Sequence, residues 1–261
     1  MLHLFIDTNV YLTFFSFTEE DLEELRKLHV AIDNRQVTLW MTPQVQDELR
    51  RNREGKVAES LGALRKLKPP GALPQMARNL EDFQQFLDAR REFERQLNAL
   101  EERLTRDFLE RSLAADRVLG ELLEAADSIP VTNEVLDAAR RRAEVGNPPG
   151  KKGSLGDAIN WECLLAACPH GTELHFVTGD SDFVSKLAKD RVSTYLAEEW
   201  HSAKTAEIIL HRRISSFFHD RFPDIELASE FEKDLRVRAL IESPSFEDTH
   251  RAISALADYT E

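Results

Sequence analysis

The chain has 261 residues, 42% of them apolar and 31% charged, and carries a formal net charge of −13. That apolar fraction supports an ordinary core and sets disorder aside as the default, while no apolar run nears the roughly 20 residues of a membrane span. The acidic balance excludes indiscriminate polyanion binding, because the far field repels phosphate, yet it allows a local basic groove or a basic protein partner.

The opening Met1-Leu2-His3-Leu4-Phe5-Ile6-Asp7 has no basic lead and no small-residue cleavage site, so no signal peptide is read and the cytoplasm is the expected location. Leu2 to Ile6 is a near-continuous apolar run, the pattern of a strand buried on both faces. Asp7-Thr8-Asn9 then turn into a helix predicted over Val10 to Phe17, and a second is predicted over 19–34 from Leu22, Leu25 and Leu28. Val37 to Met41 is predicted as a strand. Thr42-Pro43 follow as a capping residue and a first-turn proline, starting a helix that carries Glu48 and then Arg50, Arg51 and Arg53.

Beyond Pro69-Pro70-Gly71 and Pro74, about 55 residues run without proline. Phe86, Phe93, Leu97, Leu100, Leu104 and Phe108 recur at steps of three, four or seven, which predicts one apolar stripe on a long charged helix that folds back near Gly120. This stretch reads as a helical insertion that packs on the domain or offers a surface for a protein partner or self-association. A helix over 132–146 holds Arg140-Arg141-Arg142, taken as a solvated face. Gly146 to Gly153 is a loop containing Lys151 and Lys152, and Ser154-Leu155-Gly156-Asp157 open a helix over Ala158 to Ala167. Cys163 and Cys168 in that helical stretch read as reduced, buried thiols. Glu173 to Thr178 predict a strand, Phe183 to Lys189 a short helix and Ser193 to Leu196 a last strand. Helices are predicted over Ala203 to Phe218, Leu227 to Ile241 and Phe246 to Ala257.

Strands alternating with helices predict an α/β fold with a mostly parallel sheet. The division expected is a core of 1–67 and 131–200, a helical insertion of 68–130 and a helical C-terminal cap of 201–261.

Five acids stand out by position. Asp7 follows one apolar strand, and Asp180 and Asp182 follow another in Thr178-Gly179-Asp180-Ser181-Asp182. Glu48 lies about two turns into a helix that begins at a strand end, and Asp157 lies at a helix start. Each has an ordinary explanation: an N-cap for Asp7, an exposed helical acid for Glu48, a capping box with Ser154 for Asp157, Asx turns for the pair. Together they all fall where a parallel sheet can gather them at one edge, the edge where such sheets bind ligands. Crowded carboxylates repel unless a cation intervenes, and oxygen-only ligands suit Mg²⁺ or Mn²⁺. One or two such ions hold a phosphodiester, activate water and stabilise the leaving oxygen.

The order Asp7-Thr8-Asn9, Thr42-Pro43 leading to Glu48, Gly156-Asp157-Ala158, then Thr178-Gly179-Asp180-Ser181-Asp182-Phe183 resembles the PIN domain. Pro148 to Gly153 before Gly156-Asp157 resembles a PIN-like branch common in bacterial proteins. The resemblance implies a Rossmann-like α/β/α sandwich and a Mg²⁺- or Mn²⁺-dependent nuclease acting mostly on single-stranded RNA, in a toxin–antitoxin or phage-defence setting. Carried over, it makes Asp7, Glu48, Asp157 and Asp180 the metal-site acids and Asp182 a further one. Thr8, Asn9 and Thr178 would orient carboxylates or water. Arg50, Arg51, Arg53, Lys151 and Lys152 flank the acids and are candidate phosphate contacts. Trp40, Trp161 and Trp200 read as packing.

Other chemistries fit less well. A haloacid-dehalogenase-like phosphatase would place a second acid where Asn9 stands, a TOPRIM enzyme would place a glutamate at this strand end, and no glycine-rich nucleotide-binding motif occurs. A non-catalytic PIN-like scaffold that binds partners through its long helices, or a nuclease acting on DNA, are the alternatives.

Overall fold

In the computed structural model, which describes residues 1–16, 22–67, 75–150 and 154–241, five parallel strands form one sheet. They are β1 (Leu2–Ile6), β2 (Val37–Met41), β3 (Asp127–Ser128), β4 (Leu174–Val177) and β5 (Ile208–His211), in the spatial order β3-β2-β1-β4-β5. Phe5 stands in register with Trp40 on one side and Phe176 on the other. The order reverses between β1 and β4, which opens a crevice outside the carboxyl ends of those two strands.

Ten α-helices occur among the described residues: α1 (Thr8–Thr13), α2 (Leu22–Asp33), α3 (Pro43–Arg65), α4 (Phe83–Leu109), α5 (Ala114–Ala125), α6 (Asn133–Val145), α7 (Gly156–Ala167), α8 (Thr194–Lys204), α9 (Ile214–Arg221) and α10 (Ala228–Ile241). Side-chain alternation along β4 sorts them into layers. Phe176 meets Trp161 of α7, which in turn meets Trp200 of α8; His175, one residue earlier, meets Phe217 of α9 on the opposite face. The helix α2 packs with α5, α9 and α10 on the second face, and α3 and α6 pack with α7 on the first. The result is the expected α/β/α sandwich. Trp161, Trp200, Phe5 and Phe176 lie at its centre, fully buried. Cys163 and Cys168 are free and buried, and burial pushes their thiols up to about 11 and about 12, leaving them protonated at neutral pH.

Four expectations change. Ser193 to Leu196 is no strand: Ser193 precedes α8 and the other three residues open it. The last strand is β5, inside the stretch expected to be one helix over Ala203 to Phe218, which the structure divides into the end of α8, β5 and α9. Three apolar residues and a histidine bounded by charge suit either element, and here pairing with β4 decides. Phe183 to Lys189 forms turns rather than a helix, held by an isolated antiparallel bridge between Val184 and Val192. Finally, the long helix folds back at 110–113, not at Gly120, with Arg111 in the left-handed region at φ 54°. The two-residue β3 carries no apolar run and had no signal of its own. β3 and β5 bring 127–128 and 208–211, residues outside 1–67 and 131–200, into the sheet. The helix expected over Phe246 to Ala257 lies outside the described residues.

Arg142 departs furthest from its reading as a solvated residue. It is buried, with Nε on Glu162 Oε1 at 2.7 Å, Nη2 on Glu199 Oε1 at 2.6 Å and Nη1 on the Pro148 carbonyl. Glu199 also accepts from the Trp161 indole N–H at 2.7 Å. One guanidinium thus ties together α6, α7, α8 and the loop after α6.

Candidate metal centre

Each acid reaches the sheet's carboxyl edge by a short route. β1 ends at Ile6 and delivers Asp7 at the N-cap position of α1, but its carboxylate makes no cap bond. It turns instead to β4: Thr178 Oγ1 donates to Asp7 Oδ2 at 2.7 Å and Asn9 Nδ2 bonds the same oxygen. Asn9 also reaches Thr178 Oγ1 at 3.2 Å and accepts from the Gly179 N–H at 2.9 Å. Thr178 Oγ1 accepts from the Asp180 N–H at 2.9 Å, and Asp180 Oδ1 from the Asp182 N–H at 3.0 Å. These bonds fix the loop after β4 onto the start of α1, across the crevice where strand order reverses.

Glu48 is held from the other side. Thr42 caps α3 by accepting from the Val45 N–H, and its hydroxyl donates to buried Asn160 Oδ1 of α7 at 2.6 Å. That bond sets α3 against α7, so Glu48, accepting from Thr8 at 2.9 Å and Gln44 at 3.1 Å, lies against the first turn of α7. Gly156 makes the approach possible, since a Cβ there would stand 2.5 Å from Glu48 Oε1. Asp157 follows directly. No side-chain cap bond forms at the start of α7, so the Ser154–Asp157 capping box is not realised there.

Among the described residues, Asp157, Asp180 and Asp182 each present an oxygen within 4.8 Å of the others. Asp7 and Glu48 flank this group, and their charge is felt within it. Asp157 is pushed up to about 7, first by burial and then by repulsion from Asp7, Asp180, Glu48 and Asp182. Asp7 is raised to about 6, again chiefly by burial, with the Thr178 hydroxyl opposing and Glu48 and Asp180 adding. Carboxylates raised by burial and by one another can be held together in charged form by a cation. With neither cysteine nor histidine in the group, the donors suit a hard divalent ion such as Mg²⁺ or Mn²⁺.

The basic residues divide. Arg53, expected to contact phosphate, is instead half-buried against α4 and α5: its Nε and Nη2 engage Asp116, Nη2 also donates to the Phe108 carbonyl at 3.1 Å, and its guanidinium lies 4.1 Å from the Phe108 ring centre. It stands on the same face of α3 as Leu49, which packs inward, so distance along the sequence from Glu48 is a poor guide to its direction. Arg50 is exposed and pairs with Asp47, and Arg51 is exposed. Lys151 and Lys152 lie outside the described residues.

Arg212 escaped the sequence reading. It is exposed, directly follows β5, and donates to the Gly179 carbonyl at 2.7 Å and the Asp180 carbonyl at 3.2 Å. With β5 read as helix, nothing marked it as lying on the site's edge.

No helix among the described residues is long and apolar enough to cross a membrane. No curated protein and no solved structure matches the chain. A family model described as PIN domain matches residues 4–183, which span β1 to the loop bearing Asp180 and Asp182 and make up more than half of the chain. The chain therefore belongs to the PIN domain family, whose members are generally metal-dependent nucleases.

Proposed function

We propose that the chain is a metal-dependent endoribonuclease that hydrolyses phosphodiester bonds, with single-stranded RNA as its substrate. The observation that carries this reading is the convergence of Asp157, Asp180 and Asp182 within 4.8 Å at a sheet edge where Asp7 and Glu48 add their charge. These five acids would hold one or two Mg²⁺ or Mn²⁺ ions. When bound, the metal supplies positive charge to a phosphodiester and makes a water acidic enough to attack. Asp7 is kept in one orientation by Thr178 and Asn9, and Glu48 by Thr8 and Gln44, so the ligand oxygens need little rearrangement to receive an ion. The test is a cleavage assay on single- and double-stranded RNA and DNA, with and without Mn²⁺. Mn²⁺-dependent cutting of single-stranded RNA is the expected result. Cutting of DNA alone would transfer the reading to a deoxyribonuclease, and no cutting with no Mn²⁺-induced thermal shift would leave a scaffold.

Protons and metal should compete for this centre. Asp7 and Asp157 release their protons near pH 6 and pH 7, above the usual carboxylate range, so at pH 5.5 both are largely protonated and at pH 7.5 largely charged. Apparent Mn²⁺ affinity is accordingly expected to rise by roughly tenfold or more between those values. Calorimetric titration at the two pH values checks this, and equal affinities would contradict the site as drawn.

A second surface favours a partner role beside catalysis. On α4, Leu97 is buried and Leu104 and Phe108 are partly covered, whereas Phe86, Phe93 and Leu100 are 52%, 45% and 47% exposed. The single stripe expected from the sequence is thus only partly covered, and its exposed members repeat every seven residues, the spacing of a helix–helix seam. We infer that it meets another protein, a second copy of this chain being the simplest occupant. Sedimentation should show self-association that Phe93→Glu abolishes; a monomer at all concentrations would count against that occupant. A toxin–antitoxin or phage-defence setting and the division into a nuclease core, helical insertion and C-terminal cap belong to the same proposal.

A further inference from the structure

We propose that Arg212 is a phosphate-contacting residue of the nuclease centre, gripping the nucleic-acid backbone on the β5 side of the acids; this rests on the metal-nuclease reading above. The sheet register places it there. His211 of β5 pairs with Val177 of β4, so the residue after each strand emerges side by side, Arg212 next to Thr178 and then the Gly179–Asp180 turn. Its guanidinium bonds the carbonyls of both Gly179 and Asp180. A guanidinium has five N–H donors in a rigid plane, and two bonds to carbonyls fix that plane while leaving donors for an oxygen ligand. The side chain is exposed and is attached to the loop that carries two of the three closest acids.

The site requires such a group. Five carboxylates on one edge repel a phosphodiester everywhere except at a bound ion, and other arginines of the region are engaged elsewhere. Arg53 pairs with Asp116, Arg142 with Glu162 and Glu199, and Arg50 with Asp47. Arg212 is bonded only to neutral carbonyls in the contacts described above, so its charge remains available to an anion arriving at the metal. Arginine suits the task better than lysine, because its fork can hold the loop and a phosphate oxygen together.

The test uses full-length Arg212→Gln and Arg212→Lys. Binding of a short fluorescent single-stranded RNA is measured in the Asp157→Asn background across a series of KCl concentrations. Melting temperature and the Mn²⁺-induced thermal shift are measured with Asp157 intact. Arg212→Gln is expected to weaken RNA binding about tenfold and to reduce the slope of log affinity against log salt by about 0.7, the value of one lost contact to a single strand. Arg212→Lys should keep most of that slope, and both should keep the wild-type Mn²⁺ shift. An unchanged salt slope in Arg212→Gln, or a fall in melting temperature and Mn²⁺ shift shared by both variants, would overturn the proposal in favour of a loop clamp. A wild-type protein without Mn²⁺-dependent cleavage would instead remove the nuclease reading itself. Cleaving wild type beside an indistinguishable Arg212→Gln removes only the role of Arg212.

Discussion

Replacing Asp157 by asparagine is expected to lower Mn²⁺-dependent RNA cleavage about a thousandfold or more, some 4 kcal/mol of transition-state stabilisation. Asp157 is the residue at which the centre converges, because it is one of the three acids that meet and feels the charge of the other four. The amide keeps the shape and removes the charge, so the fold should persist. The metal-free protein should be at least as stable as wild type, since a repelled carboxylate has gone. The Mn²⁺-induced thermal shift should shrink with the activity. Single-turnover cleavage alongside melting curves reads both. Full activity in Asp157→Asn would mean that the chemistry takes place elsewhere.

Replacing Arg142 by alanine should cost about 3–5 kcal/mol, the range for breaking a buried pair and leaving its partners charged. Here two carboxylates, Glu162 and Glu199, would lose their common cation, and the Pro148 carbonyl its donor. In a chain of this size that corresponds to a fall in melting temperature of roughly 10 °C or more. Adding Glu199→Gln should recover part of the loss, because residues within one ion network do not contribute independently. A melting temperature within about 2 °C of wild type would show that the network contributes little.

What the sequence revealed and what it hid follow from how far each signal extends along the chain. An apolar run closely followed by an acid is a local pattern, and it marked Asp7 directly after β1 and Asp180 three residues after β4 without knowledge of the fold. Glu48 and Asp157 were visible through the helix starts that place them, though Gly156's part in admitting Glu48 was not. β5 could not be separated from its helical surroundings, since only pairing with β4 distinguishes a four-residue strand with three apolar residues from one helical turn. Arg212 was lost with it. β3 was invisible because Asp127 and Ser128 lie at an exposed sheet edge where burial imposes no apolar pattern. Arg142 did leave a trace. It continues the buried stripe of Val135 and Ala139 at helical spacing, but three consecutive arginines look like a surface when counted as charge alone.

The bare α-carbon at position 156 sets chemistry and robustness against each other. Alanine is the better helix former by up to about 1 kcal/mol, and the backbone here is ordinary helix, so the exchange looks free of strain. Its methyl would nevertheless collide with the Glu48 carboxylate, a movable group that would swing away at small cost to folding. A search for heat-resistant variants of this protein would therefore favour Gly156→Ala while quietly dismantling the acidic pocket, so this is a position to hold fixed in any such screen.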